Sequence, residues 1–251
     1  MSIIKVRNKN VLRELLNAGL SFEKISVVDN LKEDDLTRLI IEKAKSRKVP
    51  VEKTPFHQMD YGRSGQHREV LMGYLIPEND QTLKNLLMDL YQNNQNPFFL
   101  LLNRISYPSN IGVVVRTAFA AGVNGLLYQS SKEQLFNEEI FHSSMGTIAR
   151  IPLVKMGIFE ALHDLKKEGI KTYSLQTNGV TYFKEDLTGA VAFVLGEEGE
   201  GLSNTVSMRC DKKLAIPMQP GIDSLNVSSS ASVILYEKVR QESLKLSLST
   251  S

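Results

Sequence analysis

The chain has a single cysteine, Cys210, and four histidines, His57, His67, His142 and His163, among 251 residues. One cysteine excludes an internal disulfide, and the histidines have no zinc-ligand spacing, so neither a disulfide scaffold nor a metal centre is expected. Cys210 stands just before an apolar strand and reads as a buried or half-buried structural thiol rather than a nucleophile. No apolar run approaches the roughly 20 residues that span a bilayer, and residues 1–20 scatter charges where a signal peptide would have an apolar core. The expectation is a cytoplasmic protein. Three signatures of nucleotide and hydrolase chemistry are also missing. Residues 196–201 read GEEGEG rather than GxGxxG, no GxxxxGKS/T occurs, and no GxSxG elbow pairs a serine with a histidine.

What is present is an ordinary globular composition, 42% hydrophobic and 23% charged, long enough for two modest domains. The net charge of +2 conceals a local excess: residues 1–76 carry 14 Lys and Arg against 10 Asp and Glu, the remainder 16 against 18. An N-terminal basic excess suits a phosphate-contacting surface, and equally a solvated one.

Along the chain, residues 8–19 have an amphipathic helical pattern, with Val11, Leu12, Leu15 and Leu16 on one stripe and Gly19 as the stop. A strand is expected at 24–28, and a helix at 34–47 with Leu36, Leu39, Ile40 and Lys43 at helical spacing. Strands follow at 48–52 and 70–75, the second after a polar loop. This order makes a small α/β sandwich. The Pro, Asn and Asp cluster at 76–81 marks the boundary, and Leu83, Leu86, Leu87 and Leu90 line the helix at 82–92. From residue 98 onward strands (98–102, 126–129, 151–154, 171–175, 191–195, 213–216) alternate with helices (111–121, 137–144, 158–168, 204–210, 230–248). Such alternation means a mostly parallel sheet covered on both faces. The expected division is residues 1–76 as a substrate-binding domain, 77–97 as linker and helix, and 98–251 as the catalytic domain.

Three stretches of the second part have one grammar, a buried strand, a polar loop and a helix. They are NRISYPSNIGVVVRTAFAAG at 103–122, AVAFVLGEEGEGLS at 190–203 and IPMQPGIDSLNVSSSAS at 216–232. In the third, Ser224 or Asn226 is placed to cap the following helix. Loops at the carboxyl ends of parallel strands are where open α/β sheets bind ligands, so three of them point to one site.

Together these stretches resemble the three signature motifs of the SpoU (TrmH-type) family of RNA ribose 2′-O-methyltransferases in the SPOUT superfamily. The resemblance covers residue 98 to the C-terminal helix. More weakly, residues 1–76 resemble the ribosomal-protein-like RNA-binding module that precedes the catalytic domain in some members. It implies a C-terminal trefoil knot, S-adenosylmethionine as cofactor, a homodimer in which one subunit's first motif faces the other's cofactor pocket, and structured RNA as substrate. The front domain points to large-subunit rRNA, with tRNA or a noncatalytic assembly role as the alternatives. Protection from a ribosome-directed antibiotic is a role that some relatives have.

Carried over residue by residue, the resemblance assigns catalysis to Arg116, Asn110, Glu198, Ser224 and Asn226. Arg116 would remove the 2′-hydroxyl proton or pin the target phosphate, with Asn110 holding either of them; a guanidinium is by itself a poor base. Glu198 would orient Arg116 or neighbouring backbone, and Ser224 and Asn226 would stand near the ribose. The cofactor would meet the backbone at Leu175, Gln176, Gly196, Ile216 and Leu225. RNA contacts are expected from Arg7, Lys9, Arg63, His67 and Arg68. Many members carry Asp where this chain has Asn103 and Tyr107, and neither position reads as catalytic.

Overall fold

Two capping side chains start the helices of the N-terminal unit. Asn8 Oδ1 accepts the N–H groups of Asn10 and Val11 at 3.0 and 3.2 Å and opens α1, Lys9–Asn17. Asp34 Oδ1 accepts from the Thr37 N–H at 2.7 Å and opens α2, Asp35–Ser46. Both satisfy first-turn donors that the helix cannot satisfy itself. The computed structural model describes residues 3–30, 33–59, 70–78, 80–197 and 199–249.

In the N-terminal unit α1 buries Val11, Leu12, Leu15 and Leu16, the stripe that the spacing predicts. The face of α2 differs from expectation: Thr37, Ile40, Ile41 and Ala44 are buried, while Leu39 is 54% exposed. The buried row runs through Ile40 and its i+4 neighbour Ala44, and Leu39 is one residue, about 100°, off it. Strands β1 (Ile4–Val6), β2 (Phe22–Val28), β3 (Val51–Thr54) and β4 (Leu71–Leu75) form a mixed sheet in the order β1-β4-β2-β3, parallel only between β2 and β3. β1 was not expected, because three residues are too few for alternation to register.

The second unit is a seven-stranded sheet, parallel in every pairing, in the order β11-β9-β10-β6-β7-β8-β5. Its strands are β5 (Asp80–Gln81), β6 (Phe98–Leu102), β7 (Gly125–Tyr128), β8 (Leu153–Lys155), β9 (Lys171–Thr181), β10 (Val191–Leu195) and β11 (Lys212–Ala215). Its helices are α3 (Leu83–Gln92), α4 (Pro108–Ala120), α5 (Lys132–Leu135), α6 (Glu138–Ser143), α7 (Ile158–Lys167), α8 (Asn204–Ser207) and α9 (Val227–Ser249). β6 and β10 are buried at every position, as central strands covered on both sides must be. Side chains alternate between two cores. Phe98, Leu100, Leu102, Phe193 and Leu195 join α4, α6 and α9, and Phe99, Leu101, Ala192 and Val194 join α3 and α7. Each such large side chain contributes on the order of 1.5–3 kcal/mol. β5 and α3 come from the segment expected as linker and helix, yet both are built into this layer structure.

Helix α9 crosses back over the sheet from β11 at its edge and packs on α4. Val227, Ala231, Ile234 and Leu235 form its apolar contact. Of the mixed face expected on it, Ile234 is buried, Tyr236 and Leu244 are about half exposed, and Val233 and Val239 lie between. Its second half is fastened by polar groups to the β9–β10 connection. Lys238, 5% exposed, donates to the Gly189 carbonyl at 3.1 Å and pairs with Glu242, whose carboxylate accepts the Gly189 N–H at 2.7 Å. Gln241 accepts from the Leu187 N–H and donates to the Glu185 carbonyl. Among the described residues no helix is long and apolar enough to cross a membrane, and no group of three or more His, Cys, Asp or Glu is placed to hold a metal. Cys210 is half-buried, and burial pushes its thiol up to about 12.

Candidate active site

Loops at the carboxyl ends of β6, β10 and β11, together with a loop that interrupts β9, line one cavity of about 770 Å³. The first follows β6. Asn103 is buried, its N–H donating to the Leu195 carbonyl at 3.0 Å, so this loop leaves the sheet tied to β10. Pro108 then opens α4 in the first turn, where a missing N–H costs nothing. The helix begins earlier than its apolar pattern suggests, which places Asn110 in its first turn, facing the cavity.

The second loop, 196–203 after β10, is folded onto itself. Gly201 N–H donates to the Glu197 carbonyl at 2.9 Å, and a Cβ on Gly196 would stand 2.5 Å from the Gly201 carbonyl carbon. Only glycine fits there. Gly196→Ala is therefore expected to cost about 1–3 kcal/mol through overpacking, read as a lower urea midpoint.

The third loop, 216–226, ends at Asn226. Its Oδ1 accepts from the Ser228 N–H at 2.8 Å and the Ser228 hydroxyl at 2.6 Å, and its carbonyl accepts from the Ser230 N–H, so Asn226 rather than Ser224 caps α9. Its Nδ2 donates to Asn110 Oδ1 at 3.1 Å, joining the start of α9 to the start of α4 across 116 residues.

The fourth loop interrupts β9. Ser174 pairs with Lys213, but the next β11 residue, Leu214, pairs with Val180, so residues 175–179 leave the ladder. Leu175, Gln176, Thr177 and Asn178 line the cavity, and Gln176 Nε2 reaches the Leu202 carbonyl at 3.4 Å.

The expected cofactor residues Leu175, Gln176, Gly196, Ile216 and Leu225 are all brought together in this cavity, with Asn110, Ser224 and Asn226. Arg116 is not. It is exposed on α4, six residues beyond Asn110, which is about 9 Å along the axis and on another side of the helix. Glu198, Arg63, His67 and Arg68 lie outside the described residues. Arg7 is half-buried, and Lys9 is paired with Asp34 at 2.6 Å, a bond that holds the Asp34 carboxyl well below its usual range. Sequence reasoning missed Thr177, Asn178 and the exposed Tyr107 at the cavity wall; the Asn178–Gly179 dipeptide was the available turn signal.

The lining has a definite character. Leu175, Leu195, Leu202, Leu214, Ile216 and Val227 give an apolar side, while Glu197, Glu200 and Asp223 are the acidic groups among its described lining residues. No Lys, Arg or His is among the described lining residues. Among these described residues a phosphorylated cofactor would find carboxylates and no cation. A sulfonium nucleoside, whose purine faces pack on apolar side chains and whose sulfur is positive, fits this lining.

The SpoU rRNA Methylase family profile matches residues 97–236. A protein of Staphylococcus aureus (strain COL) described as a TrmH family tRNA/rRNA methyltransferase is 27% identical over 240 residues, covering 93% of this chain and 94% of its own. The structure of the SpoU methyltransferase AviRb from Streptomyces viridochromogenes, in complex with AdoMet, superposes with a TM-score of 0.77 at 22% identity, covering 96% of this chain and 90% of that one. That of an RNA 2′-O ribose methyltransferase superposes with a TM-score of 0.73 at 20% identity, covering 96% and 89%. A parallel sheet that gathers three motif loops around a cavity fit for a sulfonium is thus matched over most of its length, and the chain belongs to the SpoU family of S-adenosylmethionine-dependent tRNA/rRNA methyltransferases.

Proposed function

We propose that the enzyme methylates the ribose 2′-hydroxyl of a nucleotide in large-subunit rRNA. The observation that carries the rRNA assignment is the N-terminal α/β unit packed beside the catalytic sheet. α1 presents Val11 and Leu15 to the turn at Gly146, where a Cβ would stand 2.8 Å from Val11 Cγ1. A second surface for RNA beside the catalytic sheet suits a large folded substrate. The family's description as rRNA methylases and the superposition on a ribose 2′-O methyltransferase support the same reading.

When bound, S-adenosylmethionine supplies an electrophilic methyl group. The chain's own residues hold the donor and present the hydroxyl. Backbone groups at Leu175, Gln176, Gly196, Ile216 and Leu225 line the donor cavity. Asn110 and Asn226, already bonded to each other, stand with Ser224 at its wall, where they orient the ribose in line with the methyl. Glu198 orients its neighbours in the second loop, and Arg116 anchors the target phosphate or relieves the hydroxyl of its proton.

Since Arg116 is exposed and does not line its own cavity, it serves the partner's site in a homodimer. Exposed Val113 on α4 and Tyr236 and Leu244 on α9 supply apolar surface for that interface. The chain's N-terminal RNA contacts include Arg7, Arg63, His67 and Arg68.

The test is transfer of labelled methyl from S-adenosylmethionine to rRNA and, separately, to tRNA from cells lacking the gene, with the product mapped. The expected result is one ribose-methylated nucleotide in large-subunit rRNA. Label in tRNA alone overturns the substrate assignment, and label on a base overturns the 2′-O chemistry. Antibiotic susceptibility of cells with and without the gene then measures whether the modification protects the ribosome.

A further inference from the structure

The interruption of β9 is closed at a single residue. β9 follows β10 in register from Lys171 to Ser174, leaves the sheet for five residues, and rejoins β11 at Val180 and Thr181. The whole register jump falls on one peptide unit of β11, between Lys213 and Leu214. Gly179 lies against that unit: a Cβ there would stand 2.5 Å from the Lys213 oxygen, 2.6 Å from its carbonyl carbon and 2.8 Å from the Leu214 carbonyl carbon. All three atoms are backbone, held in a sheet, and cannot swing aside as a side-chain end would.

Four of the five residues displaced from the ladder, Leu175 to Asn178, are the β9 residues of the cavity wall, and Leu214, on the other side of the jump, lines it too. The height of this wall is therefore set by how closely the chain returns to β11. We propose that Gly179 is a positioning residue of the methyl-donor site. By allowing backbone to touch backbone at the Lys213–Leu214 peptide, it holds Leu175–Asn178 where the donor requires them. The inference rests on the cavity being the S-adenosylmethionine site.

A methyl group at position 179 must lift the returning strand by an ångström or so, and the wall moves with it. The expected result for Gly179→Ala is a rise of about tenfold or more in KM for S-adenosylmethionine, with kcat at saturating donor and KM for RNA within about twofold of wild type. Val180→Gly, at a position 46% exposed, loosens the same return without placing an atom against β11. It is expected to give a smaller rise in the same constant, and it serves if the alanine variant does not fold. Calorimetry of donor binding well below each variant's Tm reads the same shift without turnover.

Wild-type donor affinity in both variants overturns the proposal. So does a parallel loss of kcat, RNA affinity and thermal stability, which would make Gly179 a structural glycine without a selective role. The reading beneath it is checked separately. Ile216→Trp fills the cavity, and if donor affinity survives that change the cavity is not the donor site, whatever position 179 does.

Discussion

Arg116→Ala is expected to reduce methyl transfer by about 10²–10⁴-fold while S-adenosylmethionine binds as in wild type. The two halves of this result have separate origins. Donor affinity holds because Arg116 does not line the cavity of its own chain. Transfer collapses because a 2′-hydroxyl must lose its proton as the O–CH₃ bond forms, and Arg116 is the cation assigned to that event or to the phosphate beside it. Equilibrium dialysis and single-turnover transfer read the two quantities independently. Co-expression with a cavity-filled Ile216→Trp chain adds a sharper result. If Arg116 serves the partner's site, mixed dimers have one intact pocket faced by one intact arginine, and activity returns. If it serves its own, mixed dimers are as inactive as either parent. A fall in donor affinity with Arg116→Ala would place the side chain in the cavity and contradict the arrangement described here.

Lys238→Met is expected to destabilise the protein by about 3 kcal/mol, toward the low end for loss of one partner of a buried pair. The Glu242 side chain is 28% exposed, so water partly replaces the missing ammonium and the larger values do not apply. The Gly189 carbonyl loses its donor as well. Replacing both partners, Lys238→Met with Glu242→Leu, is expected to cost less than the single change, because no uncompensated charge remains. The pH dependence has a definite sign. Burial pushes the Glu242 carboxyl up, but the bonds from Lys238 and the Gly189 N–H outweigh it and leave it below its ordinary value. A depressed carboxylate stabilises the fold above its unfolded pKa, about 4.3, and that contribution is lost as pH falls through the folded value. Urea midpoints of wild type and Lys238→Met should therefore differ most at neutral pH and converge below about pH 4.

Much of the fold was legible because its strands are uninterrupted apolar runs. Phe98–Leu102 and Val191–Leu195 were expected at the bounds they have. The cavity residues were legible for another reason: three strand-loop-helix stretches resemble the SpoU motifs, and that resemblance carries Leu175, Gly196, Ile216 and Leu225 over as cofactor contacts, all of which line the cavity. Two kinds of feature stayed hidden. β1 and β5, of three and two residues, have no pattern of their own and exist because neighbouring strands offer hydrogen bonds. The outward jump of β9 has no periodic signature either, since it is dictated by β11, some 35 residues on. On α2 the spacing named the right helix and the wrong stripe, because Leu39 and Ile40 are equally apolar and only the sheet beneath decides between them.

The bond between Asn226 and Asn110 also has a consequence for when the enzyme comes into being. The cavity draws its walls from residues 107 to 230, and α9 is held in place by Lys238, Gln241 and Glu242 near its far end. A nascent chain emerging from the ribosome can assemble the N-terminal unit and the central strands early, but closure over a separation of 116 residues must wait for the last helix. Competence to hold the methyl donor arrives only when synthesis has passed the anchors of α9, so a prematurely terminated product has a sheet but no site.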